Sequence, residues 1–339
     1  TPELPASTTS EQPAPNPAEQ AERRKTTLII SLVSILIIAV LGISLYKHPG
    51  RKSGDTGGAL NRAILSKESP LADVFYGVDN TFLTRAIKSD IFEPYTSPEL
   101  SNIEEAFILD KEFYVLPVDY GDVCINYDKA YFEQTGLPVP QSLPDLLKPE
   151  YKGLLVVENP ATSSPGLAFL LATIGVFGQE GYLEYWEGLV SNDVLIVGDW
   201  ETAYNVEFSR WGGARPLVVS YSSSPPFELI FAEQPLDEPP TASVVGAQSC
   251  FRQIEFVGIL KGTEQRQLAQ AWVDFMLSPT FQEDMPLQMA VFPVNPQAKL
   301  DEAFAKFLQN PEQPAVIDPA LIASQREQWI QAWTEAVLR

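Results

Sequence analysis

The feature that most constrains this 339-residue chain is the stretch Thr26 to Tyr46, TTLIISLVSILIIAVLGISLY, which carries no charged side chain. A helix rising about 1.5 Å per residue over that length spans roughly 30 Å, the thickness of a bilayer's hydrocarbon core. The stretch has no polar face, unlike the core helix of a soluble domain. It is longer than the apolar region of a secretory signal, and Lys47 follows at once where a cleavage site needs small residues. The expectation is one transmembrane helix over 26–46, an uncleaved anchor with a separate body beyond it. Residues 1–25 hold Pro2, Pro5, Pro13, Pro15 and Pro17 among Ala, Ser, Thr, Glu and Gln, and close on Arg23, Arg24 and Lys25. They have almost nothing to bury and read as a disordered tail. Lys47, Arg51 and Lys52 follow the span, so basic residues flank both ends and the charge rule is nearly balanced. The N-terminus is placed inside because the body reads as extracytoplasmic.

The body alternates two periodicities. DVFYGV (73–78), VCINY (123–127), LLVV (154–157) and LVVS (217–220) read as strands. LAFLLATIGVF (167–177) is apolar on most faces and reads as a buried helix. Residues 265–277 place Leu268, Trp272, Phe275 and Met276 at helical spacing, and 320–338 place Ile322, Trp329, Trp333 and Val337 on one stripe. Such stripes are ordinarily core. Strands alternating with helices predict an α/β fold with a mostly parallel sheet, and the length predicts two lobes.

Composition removes several functions. The net charge of −21 opposes binding of a phosphate backbone and mildly favours a cationic small ligand. The single histidine, His48, lies directly beside the apolar span, so a Ser-His-Asp triad has no base in the body. With two cysteines, Cys124 and Cys250, a Cys/His zinc site lacks ligands. No phosphate-binding loop of the GxxxxGK[ST] type occurs. No cofactor is expected, and the chain does not read as an enzyme.

In open α/β sheets, ligands sit beyond the carboxyl ends of strands, so the loops there hold the candidate residues. NPATSSPG (159–166) opens the apolar helix, with Ser164 as a cap and Pro165 at the first helical position. Such a start either caps the helix or attracts an anion or polar ligand group with its free N–H groups. SGDTGG (53–58) has the same two readings, Asp55 or Thr56 capping a helix near Ala59. Tyr221 and the Ser222–Ser224 hydroxyls follow LVVS, and Trp200 follows VLIV. Aromatics placed there either pack or stack on a flat, cationic ligand.

Taken in order, ADVFYGVDN (72–80), VDYGDVCINYDK (118–129), NPATSSPGLAFLL (159–171), GDWETAY (198–204), VVSYSSSPP (218–226), MLSPTFQEDMP (276–286) and SQREQWIQAWTEAV in the last helix resemble the thiamine-binding proteins of bacterial ABC importers, whose relatives bind ferric iron and other small solutes. The resemblance covers about residues 53–339. It implies the two-lobed periplasmic-binding-protein fold with a hinge, 53–118 plus 252–339 forming lobe one and the C-terminal helices and 119–251 forming lobe two. Ligand would lie between the lobes, and closure would present it to an ABC permease and its ATPase. The implied ligand-binding residues are Asp55, Thr56, Ser163, Ser164, Trp200, Tyr221 and Phe227. Asp55 would face the ligand with a carboxylate and Ser163 would contact its hydroxyethyl or phosphate end. Trp200 and Tyr221 would enclose the rings, and Phe227 stands where a thiamine binder has Tyr.

Two departures accompany the resemblance. Ala290 stands at another aromatic wall position. Family members also begin with a strand–helix–strand unit ahead of the SGDTGG segment, where this chain has the tail and span, which implies an incomplete lobe one. In the implied fold Cys124 and Cys250 lie beside the two crossings between lobes, as a disulfide or as two buried thiols. The competing readings are a ferric-iron or other small-solute binder, which in the iron case usually gathers adjacent tyrosines, and a degenerate membrane-anchored sensor or scaffold.

Overall fold

The computed structural model describes residues 56–338. The expected tail, the expected span over 26–46 and Asp55 lie outside the described residues. One nine-stranded sheet organises the body. Its strands are β1 (Val74–Asp79), β2 (Phe92–Glu93), β3 (Leu116–Asp128), β4 (Leu155–Glu158), β5 (Leu195–Val197), β6 (Leu217–Tyr221), β7 (Thr241–Val244), β8 (Phe251–Leu260) and β9 (Phe292–Pro293). The main order is β1-β8-β3-β6-β4-β5, with β2 on β8 and β7 and β9 on β3.

The sheet is mixed rather than mostly parallel. Among the described residues β4 pairs in parallel with β5 and β6, and the remaining pairings are antiparallel. The cause is the pair of long strands. The chain leaves one core along the 13 residues of β3 and returns along the 10 of β8, so the two run in opposite directions.

Those strands serve two cores. The first gathers Leu60, Phe82, Ile91, Leu116, Val118, Phe256 and Val273 among others. The second gathers Val123, Ile125, Leu155, Phe169, Trp186, Val219 and Phe251. Thus β3 gives Leu116 and Val118 to one core and Val123 and Ile125 to the other, and Asp119–Asp122 is the crossing between them. Cys124 and Cys250 form a disulfide at this junction, both fully buried.

Helices cover the sheet, among them α1 (Thr56–Leu65), α2 (Leu83–Lys88), α3 (Ser164–Ser191), α4 (Ser224–Ile230), α5 (Arg266–Leu277) and α6 (Pro319–Val337), besides other short helices and turns. Helix α3 is long and apolar enough to cross a membrane, but over half of its most apolar window is buried inside the body. It is the pillar of the second core. Trp186 stands edge-on between Phe169 and Trp333, and its Nε1 donates to Thr173 Oγ1 at 3.0 Å. The predicted stripe of α6 is buried in that same core, through Ile322, Trp329, Trp333 and Val337. The α6 start also reaches the first core's helix α2, where Thr84 Oγ1 donates to Pro319 O and Arg326 lies over the Phe82 ring.

The predicted stripe of α5 holds at Met276 and is corrected at Leu268, Trp272 and Phe275. The face it buries is Ala269, Val273, Met276 and Leu277. Leu268 is 67% exposed, and Trp272 and Phe275 are about two-fifths exposed and pack on each other. The two apolar stripes are adjacent, and the one with small and slender side chains lets the helix come closest to the sheet.

Candidate functional site

The carboxyl ends of β5 and β6 carry the aromatics. Beyond β5, Asp199 accepts the Thr202 N–H at 2.8 Å and caps a single helical turn that begins at Trp200. Trp200 is then fixed twice. Its Nε1 donates to Ser220 Oγ at 2.9 Å, and its ring stacks on Tyr204 with centroids 4.9 Å apart. Beyond β6, Pro225 and Pro226 sit in the first turn of α4, and that helix carries Phe227 and Glu228. Trp200, Tyr204, Tyr221, Phe227 and Glu228 line one cavity of about 880 Å³ together with Gln288, Met289 and Ala290. Ala290 comes from the segment around the first core, and Ser223 Oγ donates to its carbonyl. Ala290 adopts φ 53°, a left-handed conformation closing the short helix Met285–Met289. Its methyl group leaves the cavity wide at that wall.

Glu228 was not apparent in the sequence as a site residue. Its side chain is almost wholly buried, Tyr204 OH and Thr241 Oγ1 donate to Oε1, and Arg210 Nε donates to Oε2 at 3.0 Å. Burial pushes its carboxyl above the usual range, and these donors together with the Arg210 charge oppose the shift. Tyr204 was equally unforeseen, although its place four residues after Trp200 was the available signal.

The hydroxyl candidates fall elsewhere. Ser163, rather than Ser164, caps α3: its Oγ accepts the Gly166 N–H at 3.3 Å, and Ser164 is the first helical residue. Neither is part of the cavity wall. Thr56 opens α1, also away from that wall. The start of α3 lies hard against β4, since a Cβ on Gly166 would sit 2.6 Å from the Glu158 carbonyl oxygen. Gly166→Ala is therefore expected to cost about 1–3 kcal/mol, because backbone rather than a flexible side chain must yield. Chemical denaturation of the variant measures it.

Across β1 and the two crossing strands lies a polar row. Asp79 of β1 is directly opposite Glu255 of β8, and Glu255 is directly opposite Asp119 of β3. Bulges at Gly77, with φ 99°, and at Val118 re-aim the outer strands so that Tyr76 and Asp79 share a face. Tyr76 OH donates to Asp119 Oδ2 at 2.5 Å, and Gln253 Nε2 donates to Asp79 Oδ2 at 3.1 Å. Tyr221 OH points to Gln253 Oε1 at 3.4 Å, which joins the row to the cavity wall.

Residues 69–315 match the family of bacterial extracellular solute-binding proteins. This chain belongs to that family. It is therefore the extracytoplasmic binding component of a transport system and not an enzyme. The thiamine-binding periplasmic protein of Escherichia coli is 30% identical over 281 residues, covering 83% of this chain and 81% of that one. The Brucella suis protein of the same description is 28% identical over 287 residues, covering 85% and 82%. A solved periplasmic thiamin-binding protein superposes with a TM-score of 0.73 at 28% identity, covering 84% of this chain and 85% of that one.

Proposed function

We propose that this solute-binding protein captures thiamine or a thiamine phosphate in the cavity between its lobes and delivers it to an ABC permease and its ATPase. The two cores would be the lobes and the β3–β8 crossing the hinge, with the body held at the extracytoplasmic face of the membrane by residues 26–46. The observation that carries the reading is the aromatic box of Trp200, Tyr204, Tyr221 and Phe227 around an 880 Å³ cavity. Flat, positively charged rings suit stacked aromatics. Asp55, Thr56, Ser163 and Ser164 remain the candidates for the hydroxyethyl or phosphate end of the ligand.

Ferric iron fits the box less well. Iron sites of the related proteins are expected to gather adjacent tyrosines, and Tyr221 ends β6 without a tyrosine beside it. Ser222 follows it where a second tyrosine would serve.

Calorimetric titration of the chain with thiamine, its phosphates and ferric citrate tests the reading. Micromolar or tighter binding of a thiamine species is expected, and no heat from a folded sample would refute it. Trp200→Ala should weaken that binding by about 1–2 kcal/mol, roughly 5- to 30-fold, through lost stacking and cation–π attraction. Unchanged affinity would remove Trp200 from the site.

A further inference from the structure

The row Asp79–Glu255–Asp119 has a cost that the fold alone does not repay. Like charges directly opposite on neighbouring strands repel. Asp79 is satisfied, since Thr81 N and Oγ1 and Gln253 Nε2 all donate to it. Asp119 is not satisfied. It is fully buried, its Oδ2 takes the Tyr76 hydroxyl, and its Oδ1 has no hydrogen-bond partner among the described residues. Glu255, between the two, is the one member of the row that retains partial exposure. Two residues of the cavity wall reach the hydrogen-bond partners of this row: Tyr221 OH points to Gln253, which donates to Asp79, and Met289 Sδ lies 3.8 Å from the OH of Tyr76, which donates to Asp119.

We infer that this row is a cation subsite of the cavity: it accepts the positive charge of an organic monocation and releases one proton to solvent as the cation binds. The inference rests on the reading of the chain as a binder of cationic ligand. A metal ion is the poorer occupant. The three carboxyls are strung across three strands, and no group of His, Cys, Asp or Glu among the described residues is gathered to hold one. A diffuse organic charge needs only proximity to the row. The proton arises from the same geometry, because Glu255 is pushed up to about 7 by burial first and by the Asp79 charge second. Asp119 is raised as well, by burial and then by Glu255. The other titratable or charged groups facing the row are Tyr76, Tyr221 with Glu158 behind it, and Arg326, whose charge favours ionised Asp79. Below pH 7 a proton neutralises part of the row. A bound cation does the same work and displaces it, so affinity is full above that pH and falls below it.

Calorimetric titration of the full chain with thiamine at pH 6, 7 and 8, in two buffers of different ionisation heat, tests the inference. Binding about tenfold weaker at pH 6 than at pH 8, with about one proton released per ligand at pH 6, is expected. Glu255→Gln should remove both the pH dependence and the proton release, and Asp79→Asn, which takes away the charge that raises Glu255 after burial, should move the pH dependence to lower pH. Equal affinity at pH 6 and 8 in the unmodified chain, or both variants keeping its pH profile, overturns the cation subsite and leaves the thiamine reading standing. Absence of thiamine binding at every pH from folded protein overturns that reading and this inference together.

Discussion

Replacing both cysteines, Cys124→Ala with Cys250→Ala, is expected to cost about 3–5 kcal/mol of stability and to lower the melting temperature by roughly 10 °C. The bridge closes a loop with a sequence separation of 126 residues. A cross-link of that span removes much of the unfolded chain's freedom, and the loss grows with loop length. Its place adds to the effect. Cys124 lies in β3 beside the crossing and Cys250 immediately precedes β8, so the bridge staples the two strands that both cores share. Outside the cytoplasm such a bond persists. Guanidinium unfolding of the oxidised chain and of the double variant gives the difference directly. A loss below about 1 kcal/mol would mean that the unfolded chain is already compact around this junction.

What the sequence disclosed follows how local each feature is. The β-branched run VCINY marked the second half of β3, but its first half, LPVDYG, did not look like a strand. Pro117 and Gly121 weaken any local preference for extended structure there. The strand persists because β8 pairs with it on one side while a bulge at Val118 absorbs the irregularity. The apolar run at 167–177 was legible as a helix, but its continuation to Ser191 passes Gly178 at φ 74°, which no periodicity announces. The α5 stripe misled because Leu268, Trp272 and Phe275 have the right spacing on the wrong side of the helix. Trp200 and Tyr221 could be picked out because they stand at or just beyond the end of a strand, and Phe227 because of the family resemblance. Glu228's partners and the Asp79–Glu255–Asp119 row could not, because they meet only through strand register between distant segments. The mixed sheet was misjudged for a related reason: local alternation of strand and helix says nothing about a chain that crosses between two cores and returns.

The stability of the ligand-free chain should fall as pH rises from 5 to 8, and Glu255→Gln should remove that residue's share of the fall. The sign follows from where the proton sits. Unfolded, Glu255 ionises near its ordinary 4.5, whereas in the fold it does so at about 7. Between those values the folded chain holds a proton that the unfolded chain has released, so raising the pH favours unfolding. The contribution is fully present below about pH 4.5 and gone above about pH 7, and its size is about 3 kcal/mol. Asp79 and Asp119 are shifted upward too, chiefly by burial, and act in the same direction. The glutamine variant should therefore match the unmodified chain near pH 5 and exceed it by up to about 3 kcal/mol at pH 8, measured by urea unfolding at each pH. Equal stability of the two proteins at pH 8 would show that the row's charge is already relieved without ligand. Where the gain appears, it measures the strain that a bound cation removes. Thiamine should then raise the melting temperature of the unmodified chain more at pH 8 than at pH 6, and that of the variant equally at both.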